Sequence, residues 1–151
     1  MKQLVALVCA AVLAAGVGVA GEKRGTPAEA EALVKRAIAY VKANGKEKAF
    51  AEFSDPKGKF VEGDLYIFVY DMTGKCLAHG GNARMVGKDL IDLKDADGKP
   101  FVKERVDLAS SAGKGWQNYK WNNPAVNKIE NKTAYIEKTG DIIVGAGAYK
   151  P

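Results

Sequence analysis

Cys76 and His79 are the residues whose types and spacing most directly suggest chemistry, because a thiol beside an imidazole can act as a base-activated nucleophile. They lie three positions apart in a segment of strand-like composition, so their side chains should point to opposite faces of a sheet. The segment Cys76-Leu-Ala-His79 also lacks the second cysteine and the spacing of a haem-attachment motif. Because the chain has one histidine and two cysteines, a Cys/His zinc cluster is excluded.

We therefore predict that the chain is not an enzyme and that it has no catalytic residue, metal or cofactor. An unrecognised hydrolase or redox activity, dependent on Cys76 or His79, stays open as the least favoured alternative. The 151 residues suit one domain with one core, and they leave no room for a kinase or a polymerase. Hydrophobic residues make up 47% of the chain, which argues against wholesale disorder.

The charge pattern argues against a nucleic-acid partner. The chain holds 23 Lys and Arg against 18 Asp and Glu, a net charge of +5. The lysines are interleaved with acidic residues, as in Lys94-Asp-Ala-Asp-Gly-Lys99, and no long run of like charges occurs. A nucleic-acid-binding protein would cluster its basic residues on one face, so we expect no nucleic acid.

The first twenty residues have the features of a secretory signal peptide. Lys2 precedes an uncharged, apolar stretch over residues 4–20, and Gly18 and Ala20 place small residues before a cleavage point. An uncleaved membrane anchor is the alternative, although the stretch is at the lower edge of spanning length. We expect cleavage after residue 20, a mature domain over residues 21–151 and a periplasmic location. Cys76 is then the only remaining cysteine, so we expect no internal disulfide in the mature domain, which fits a bacterial periplasm.

A long helix is predicted at the start of the mature chain. Thr26 can cap it, Pro27 suits its first position and Glu29 completes a capping box. Apolar residues then recur at helical spacing up to Val41, and Asn44-Gly45 ends or bends the helix. Residues 46–53 read as a short second helix. The apolar stripe suits packing within the domain or a homodimer through this helix, and both remain open.

The remainder predicts an antiparallel sheet. Residues 65–70 form a strand that is apolar on both faces, with Tyr66, Phe68 and Tyr70 on one face. Asp71-Met-Thr-Gly74 forms a turn, and residues 75–79 pair back. A long irregular segment and a helix over residues 100–112, with Val102, Val106 and Ala109 on one stripe, come next. Three further strands follow over residues 116–121, 132–138 and 142–149. The predicted fold is α+β: a PAS-like five-stranded antiparallel sheet with a long N-terminal helix packed on it.

The order of these elements and several motifs resemble the single Cache domain, a PAS-like extracytoplasmic sensor module. The motifs run over nearly the whole mature chain. They are Tyr66-Ile-Phe-Val-Tyr-Asp71, Leu77-Ala-His79, Val86-Gly-Lys-Asp-Leu90, Asp92-Leu-Lys-Asp-Ala-Asp-Gly98, Gly115-Trp-Gln-Asn-Tyr-Lys-Trp121, Lys132-Thr-Ala-Tyr-Ile136 and Gly145-Ala-Gly-Ala-Tyr149. The resemblance implies a pocket on one sheet face that binds a small molecule, often a short carboxylate, without chemistry. It also implies roles in signal transduction and chemotaxis. Such domains usually lie between two membrane helices ahead of an output module. Because the sequence stops where the second membrane helix would begin, we expect a free-standing version here.

Several residues are candidates for the pocket. Tyr66 and Phe68 share a strand face and can supply an aromatic wall, and Tyr119 and Trp121 share a face of a later strand. Plain core packing is the alternative for all four. His79 matches the Leu-Ala-His motif, which implies a hydrogen bond to the ligand or a structural bond to the following loop. Trp116 is assigned to packing or to the opposite face.

Lys132 and Tyr135 match the Lys-x-x-Tyr pattern of the resemblance. Lys132 is the preferred partner for a carboxylate, because an ammonium facing a buried carboxylate makes a strong contact. Strict alternation would place the two residues on opposite faces, so we expect a strand entry or a bulge there. Arg84 is a second candidate cation, with an exposed loop arginine as the favoured interpretation.

We therefore expect a periplasmic sensing domain that binds a short organic acid of the acetate, propionate, pyruvate or lactate class. The alternative is an interaction module that docks onto a separate membrane receptor or kinase. The expected ligand-binding residues are Tyr66, Phe68, His79, Tyr119, Trp121, Lys132 and Tyr135.

Overall fold

A computed structural model describes residues 23–151, and the expected signal peptide lies outside the described residues. The described chain contains three α-helices, a short 3₁₀ turn at Ala83–Met85 and seven strands. The helices are α1 (Pro27–Asn44), α2 (Lys46–Ser54) and α3 (Phe101–Ala112). The strands are β1 (Val61–Glu62), β2 (Leu65–Tyr66), β3 (Phe68–Asp71), β4 (Cys76–His79), β5 (Lys114–Asn123), β6 (Lys128–Thr139) and β7 (Ile142–Lys150).

The start of α1 has the predicted capping box. The Thr26 hydroxyl accepts from the Glu29 N–H at 3.2 Å, and the Glu29 carboxylate accepts from the Thr26 N–H at 2.9 Å. The helix buries one face, formed by Ala30, Leu33, Val34, Ala37 and Ile38. This face packs with α2 on one side of the large sheet, so the predicted long helix on the sheet is confirmed.

The large sheet has five antiparallel strands in the order β4-β3-β7-β6-β5. The predicted α+β class and strand number are therefore confirmed. The single strand predicted over residues 65–70 is divided at Ile67, however. β2 pairs with β1 in a separate two-stranded ribbon, whereas β3 enters the large sheet.

Strict alternation along β6 determines which residues share a face. Its pairing with β5 and β7 runs without a register shift from Lys132 to Ile136. Lys132 therefore lies on the face opposite Tyr135, and the expected bulge between them is wrong. An unbroken antiparallel ladder leaves no extra residue to reverse the side-chain direction.

The second face of the sheet is covered by α3 and by the segment between β4 and α3. On this face β7 presents two glycines in place of larger side chains. A Cβ atom on Gly145 would lie 2.2 Å from the Phe68 ring, and one on Gly147 would lie 2.5 Å from Lys132 Cε. The missing side chains thus leave the space that Phe68 and Lys132 occupy.

The loop before α3 is fastened to the outer edge of β5. The Asp95 carboxylate accepts from the backbone N–H groups of Asp97, Lys99 and Lys120, each at 2.9 Å. The Lys99 ammonium also donates to the Asn118 carbonyl. Burial alone would raise the pKa of Asp95, but these backbone donors outweigh it and hold the pKa below its usual value. Within the described residues, no helix is long and apolar enough to cross a membrane.

Candidate ligand-binding site

Two buried basic side chains lie on the second face of the sheet: Arg105 from α3 and Lys132 from β6. Each of these residues is only 1% exposed to solvent. Arg105 Cζ lies 4.2 Å from the centre of the Phe68 ring, and Lys132 Nζ lies 4.2 Å from the centre of the Tyr66 ring. We name these two residues the cation pair. Aromatic faces attract cations, but they do not neutralise the charge.

Arg105 is held by one side of its guanidinium group. Its Nε–H donates to Gln117 Oε1 at 2.7 Å, and the Gln117 amide in turn donates to the Phe101 carbonyl at 3.0 Å. Its Nη2 is buried and has no hydrogen-bond partner in residues 23–151. Leaving a buried charged donor unsatisfied is costly, so this atom indicates where an acceptor from a ligand would bind.

Lys132 contacts two tyrosine hydroxyls. Its Nζ lies 2.9 Å from the Tyr66 oxygen and 3.4 Å from the Tyr149 oxygen. Burial lowers the pKa of Lys132 well below its usual value, and the charge of Arg105 lowers it further. The amine is therefore biased toward its neutral form when no anion is bound.

The two hydroxyls form a chain with a fixed direction. The Tyr149 hydroxyl donates to the Asn122 carbonyl at 2.9 Å, because a carbonyl can only accept. The Tyr66 hydroxyl, 2.7 Å from the Tyr149 oxygen, must then donate to it. Both phenolic protons are used within the protein, and burial raises both pKa values, so the phenols stay neutral. Both oxygens are left as acceptors for Lys132.

His79 is a neutral member of the same cluster. Its Nδ1 accepts from the backbone N–H groups of Gly81 at 3.2 Å and Asn82 at 2.9 Å, so the ring proton is on Nε2. The ring centre lies 5.1 Å from that of Tyr66. Burial, with the charges of Lys132 and Arg105, lowers the pKa of His79 to about 3. At neutral pH the imidazole can therefore only donate from Nε2.

No carboxylate compensates the cation pair among the described residues, because neither cation takes part in an ion pair there. Asp64 exerts a charge effect on Lys132 but belongs to a second polar cluster. Its carboxylate accepts from the Gly25 N–H at 2.7 Å and from the Asn123 amide at 3.2 Å.

The second cluster fastens the start of α1 to the sheet. Both terminal nitrogens of Arg24 donate to Glu130, at 2.9 and 3.0 Å, and the Asn123 amide donates to Glu130 at 2.8 Å. The Arg24 guanidinium holds the pKa of Glu130 below its usual value. We name this cluster the N-terminal clasp; its members are Arg24, Gly25, Asp64, Asn123 and Glu130.

The structure brings together most of the residues predicted for the site. Phe101 of α3 stacks on Tyr119 with ring centres 4.5 Å apart, and Trp121 packs 5.2 Å from Phe101 at the half-buried rim. The predicted residues gathered on this face are Tyr66, Phe68, His79, Tyr119, Trp121 and Lys132. Their contacts with a ligand stay a prediction.

Two predicted candidates lie elsewhere. Tyr135 is on the α1 side of the sheet, where its hydroxyl donates to Glu137 at 2.7 Å and its ring lies 5.2 Å from that of Trp116. Arg84 is exposed on the short 3₁₀ turn, which agrees with its interpretation as a loop arginine. Neither residue belongs to the cluster around the cation pair.

Sequence reasoning missed Arg105, although a signal was present. The predicted helix carries Val102, Val106 and Ala109 on its apolar stripe. Arg105 lies three positions after Val102 and four before Ala109, so it falls on the same stripe. A charged residue in the middle of an apolar stripe is unusual and marks either a buried pair or a binding site. Tyr149 was missed as well; it follows Gly145 and Gly147 in alternation on the pocket face.

A surface cavity of about 410 Å³ adjoins the cluster. Its lining includes Met85 and Trp121, which pack on the buried aromatic residues, and Asn82, whose N–H binds His79. Small-molecule sites are commonly cavities of this size with apolar walls and a few polar groups. The lining includes neither Arg105 nor Lys132, so this cavity lies beside the cluster and does not open onto the two basic groups.

Comparisons with known proteins agree with the overall fold. A family model described as "Single Cache domain 2" matches residues 21–150. The methyl-accepting chemotaxis protein McpP of Pseudomonas putida is 33% identical over 88 residues, which are 57% of this chain and 16% of that receptor. The chain thus spans less than a fifth of the length of this relative.

Solved structures share the fold. A methyl-accepting chemotaxis protein from Vibrio parahaemolyticus superimposes with a TM-score of 0.71 at 26% identity, covering 81% of this chain and 86% of that chain. A Cache chemosensory domain, whose structure is described as the basis for carboxylic acid recognition, superimposes with a TM-score of 0.65 at 23% identity. That match covers 82% of this chain and 88% of the other.

Proposed function

This chain belongs to the single Cache domain family, and from that premise we propose that it is a non-catalytic receptor domain for one short carboxylic acid. One observation carries the proposal: Arg105 and Lys132 are both buried, and neither is paired with a carboxylate among residues 23–151. Buried charges in proteins are normally paired, so the missing negative charge is expected to come from a ligand.

The donors that remain unused define how the acid would bind. The carboxylate would accept from Arg105 Nη2, from Lys132 Nζ and from His79 Nε2–H, all charge-assisted or strongly polar contacts. The tail would pack against the rings of Phe68, Phe101 and Tyr119. Acetate, propionate, pyruvate and lactate each combine one carboxylate with a short tail, and they form the proposed ligand class.

We place the domain outside the cytoplasm, because members of this family are extracytoplasmic sensors in the receptors that carry them. A cleaved signal peptide and a dimer through α1 are further parts of the proposal, whereas docking onto a separate membrane receptor or kinase is the alternative function. They do not affect the chemistry of the cation pair.

Isothermal titration calorimetry tests the proposal directly. Acetate, propionate, pyruvate and lactate are titrated into the purified protein, with acetamide and propionamide as neutral analogues of matched shape. We expect one-to-one binding of at least one acid and none of the amides. Arg105→Met should weaken binding by at least a hundredfold, about 2.7 kcal/mol, since it removes the charged donor.

Arg36→Met is the matched control, because Arg36 is exposed on α1 and its ion pair within residues 23–151 is with Glu62 on the surface. It should leave acid affinity unchanged. A folded protein that binds none of the acids, or that binds the amides equally well, would overturn the proposal. If it binds no acid but copurifies with a membrane receptor, the docking module becomes the better interpretation.

A further inference from the structure

We infer that the site takes up one proton together with each carboxylate monoanion, and that Lys132 accepts this proton. The inference rests on the proposed function and specifies it: the bound species is an acid anion plus a proton, the equivalent of the undissociated acid. The argument starts from the number of hydrogen-bond donors at Lys132 Nζ.

A neutral amine has two N–H groups and one lone pair, whereas an ammonium has three N–H groups and no lone pair. Lys132 Nζ contacts two acceptors, the oxygens of Tyr66 and Tyr149. Both hydroxyl protons are used further along the chain toward the Asn122 carbonyl. The two N–H groups of a neutral Lys132 are therefore directed to the two tyrosines, and the remaining direction holds the lone pair.

A carboxylate oxygen placed in that remaining direction would meet a lone pair and be repelled. Adding one proton to Lys132 converts the repulsion into a charge-assisted hydrogen bond. The balance is simple: the N–H bond forms with a proton from solvent, no bond of the ligand breaks and no electron is transferred. The net charge of the site is the same before and after the acid enters.

Among residues 23–151, the groups that face Lys132 leave no other proton acceptor. β2 presents Tyr66, β7 presents Tyr149, β5 presents Tyr119 and β4 presents His79, whereas α3 presents the permanently charged Arg105. His79 cannot take the proton, because its Nδ1 already accepts two N–H groups and its Nε2 is protonated.

Asp64, next to Tyr66 in the chain, is the acidic group whose charge acts on Lys132. It is engaged by the Gly25 N–H and the Asn123 amide of the N-terminal clasp. It therefore does not serve as a direct partner for the Lys132 ammonium, and the acid ligand is the anion that can stabilise it.

Proton uptake makes acid affinity depend on pH with a defined sign. The ligand raises the pKa of Lys132, so the bound state holds one proton more than the free state between the two pKa values. In this window the affinity falls tenfold for each unit of pH increase. The domain then responds to the product of anion and proton concentrations rather than to the anion alone.

Calorimetry in two buffers provides the test. Propionate, or whichever of the four acids binds, is titrated at one pH in phosphate and in Tris, whose ionisation enthalpies differ. The slope of observed enthalpy against buffer enthalpy gives the number of protons taken up. We expect close to one for the wild type and for Lys138→Met, an exposed lysine on the same strand, and none for Lys132→Met.

A readout that needs no variant is the ¹³Cε signal of Lys132 in the wild type. It should move to the ammonium position when the acid is added. Acid binding with no proton exchange and an unchanged Lys132 signal would overturn the inference while leaving the proposed function intact. Absence of any acid binding would overturn the proposed function instead.

Discussion

The N-terminal clasp, which is buried except for Arg24, and the cation pair are both polar clusters, yet they differ in how completely their hydrogen-bonding groups are satisfied. In the clasp, Arg24 meets Glu130, and Asp64 meets the Gly25 N–H and the Asn123 amide. In the cation pair, as far as residues 23–151 show, Arg105 has an unpartnered nitrogen and Lys132 forms hydrogen bonds with two neutral hydroxyls. A cluster that is complete on its own stabilises the fold, whereas an incomplete one is where a ligand contributes.

The two clusters meet at consecutive residues of β5. The Asn122 carbonyl ends the hydroxyl chain from Lys132, and the Asn123 side chain is the centre of the clasp. Their different chemistry is therefore not a matter of location in the protein. The difference depends on whether acidic side chains lie beside the basic ones.

The largest expected effect comes from damage to the clasp. Asp64→Ala leaves the Gly25 N–H without its buried acceptor, removes one of the two acceptors of the Asn123 amide, and leaves Arg24 with one acid fewer. We expect the free energy of unfolding to fall by about 3 kcal/mol, measured by urea denaturation. Acid affinity should change less than threefold at a pH where the protein stays folded.

Asp97→Ala is the control for that measurement, because Asp97 is exposed and forms an ion pair with Lys120 at the surface. Its effect should stay below about 0.5 kcal/mol. A clasp variant as stable as this control would remove the distinction between the two clusters.

A substitution in the cation pair is expected to raise the free energy of unfolding rather than lower it. Lys132→Met replaces a buried amine, which has no acidic partner in the described part of the chain, with an apolar side chain of similar length. The ligand-free protein should gain about 2 kcal/mol of stability at pH 7 in urea denaturation, because the cost of burying the amine disappears. A loss of stability would mean that Lys132 is held by partners as complete as those of the clasp.

A smaller effect on the free energy of unfolding is expected when the pH is lowered, because His79 takes up a proton in the unfolded state. Its pKa is 6.5 in the unfolded chain and about 3 in the fold, so the unfolded state binds the proton first as the pH falls. Stability from this group is full above pH 6.5 and is lost progressively down to about pH 3. Between pH 7.5 and 5.5 the loss should be about 1.4 kcal/mol.

His79→Asn isolates that contribution, because the asparagine oxygen can accept the Gly81 and Asn82 N–H groups but cannot be protonated. Urea denaturation at several pH values should show a shallower acid loss for the variant than for the wild type. Equal slopes would indicate that burial in the fold does not keep the imidazole neutral.

Patterns local in sequence were sufficient for most of the fold. The capping box at Thr26 and Glu29 is complete within four residues, and the alternation of residues 65–70 assigns each side chain to a face. The break at Ile67 was not predictable in this way. It arises because β2 pairs with β1 while β3 pairs with β4 and β7, and partner choice leaves no trace in a uniformly apolar run.

The site was predictable where one strand or one motif carried the information. Tyr66, Phe68 and Lys132 could be named from alternation and from the family resemblance. Arg105 required knowledge that α3 packs over the sheet, since a helix stripe alone does not show what covers it. The clasp was beyond reach for a similar reason, because Arg24 and Glu130 are 106 positions apart.

The fastening of the loop at Asp95 has a consequence for association between molecules. β5 is ten residues long and lies at the edge of the large sheet, where its outward N–H and C=O groups could pair with a strand of another molecule. Asp95 covers the Lys120 N–H, and Lys99 covers the Asn118 carbonyl. The loop thus blocks the centre of the exposed edge, and the residues that brace the approach to α3 also protect the protein against edge-to-edge aggregation.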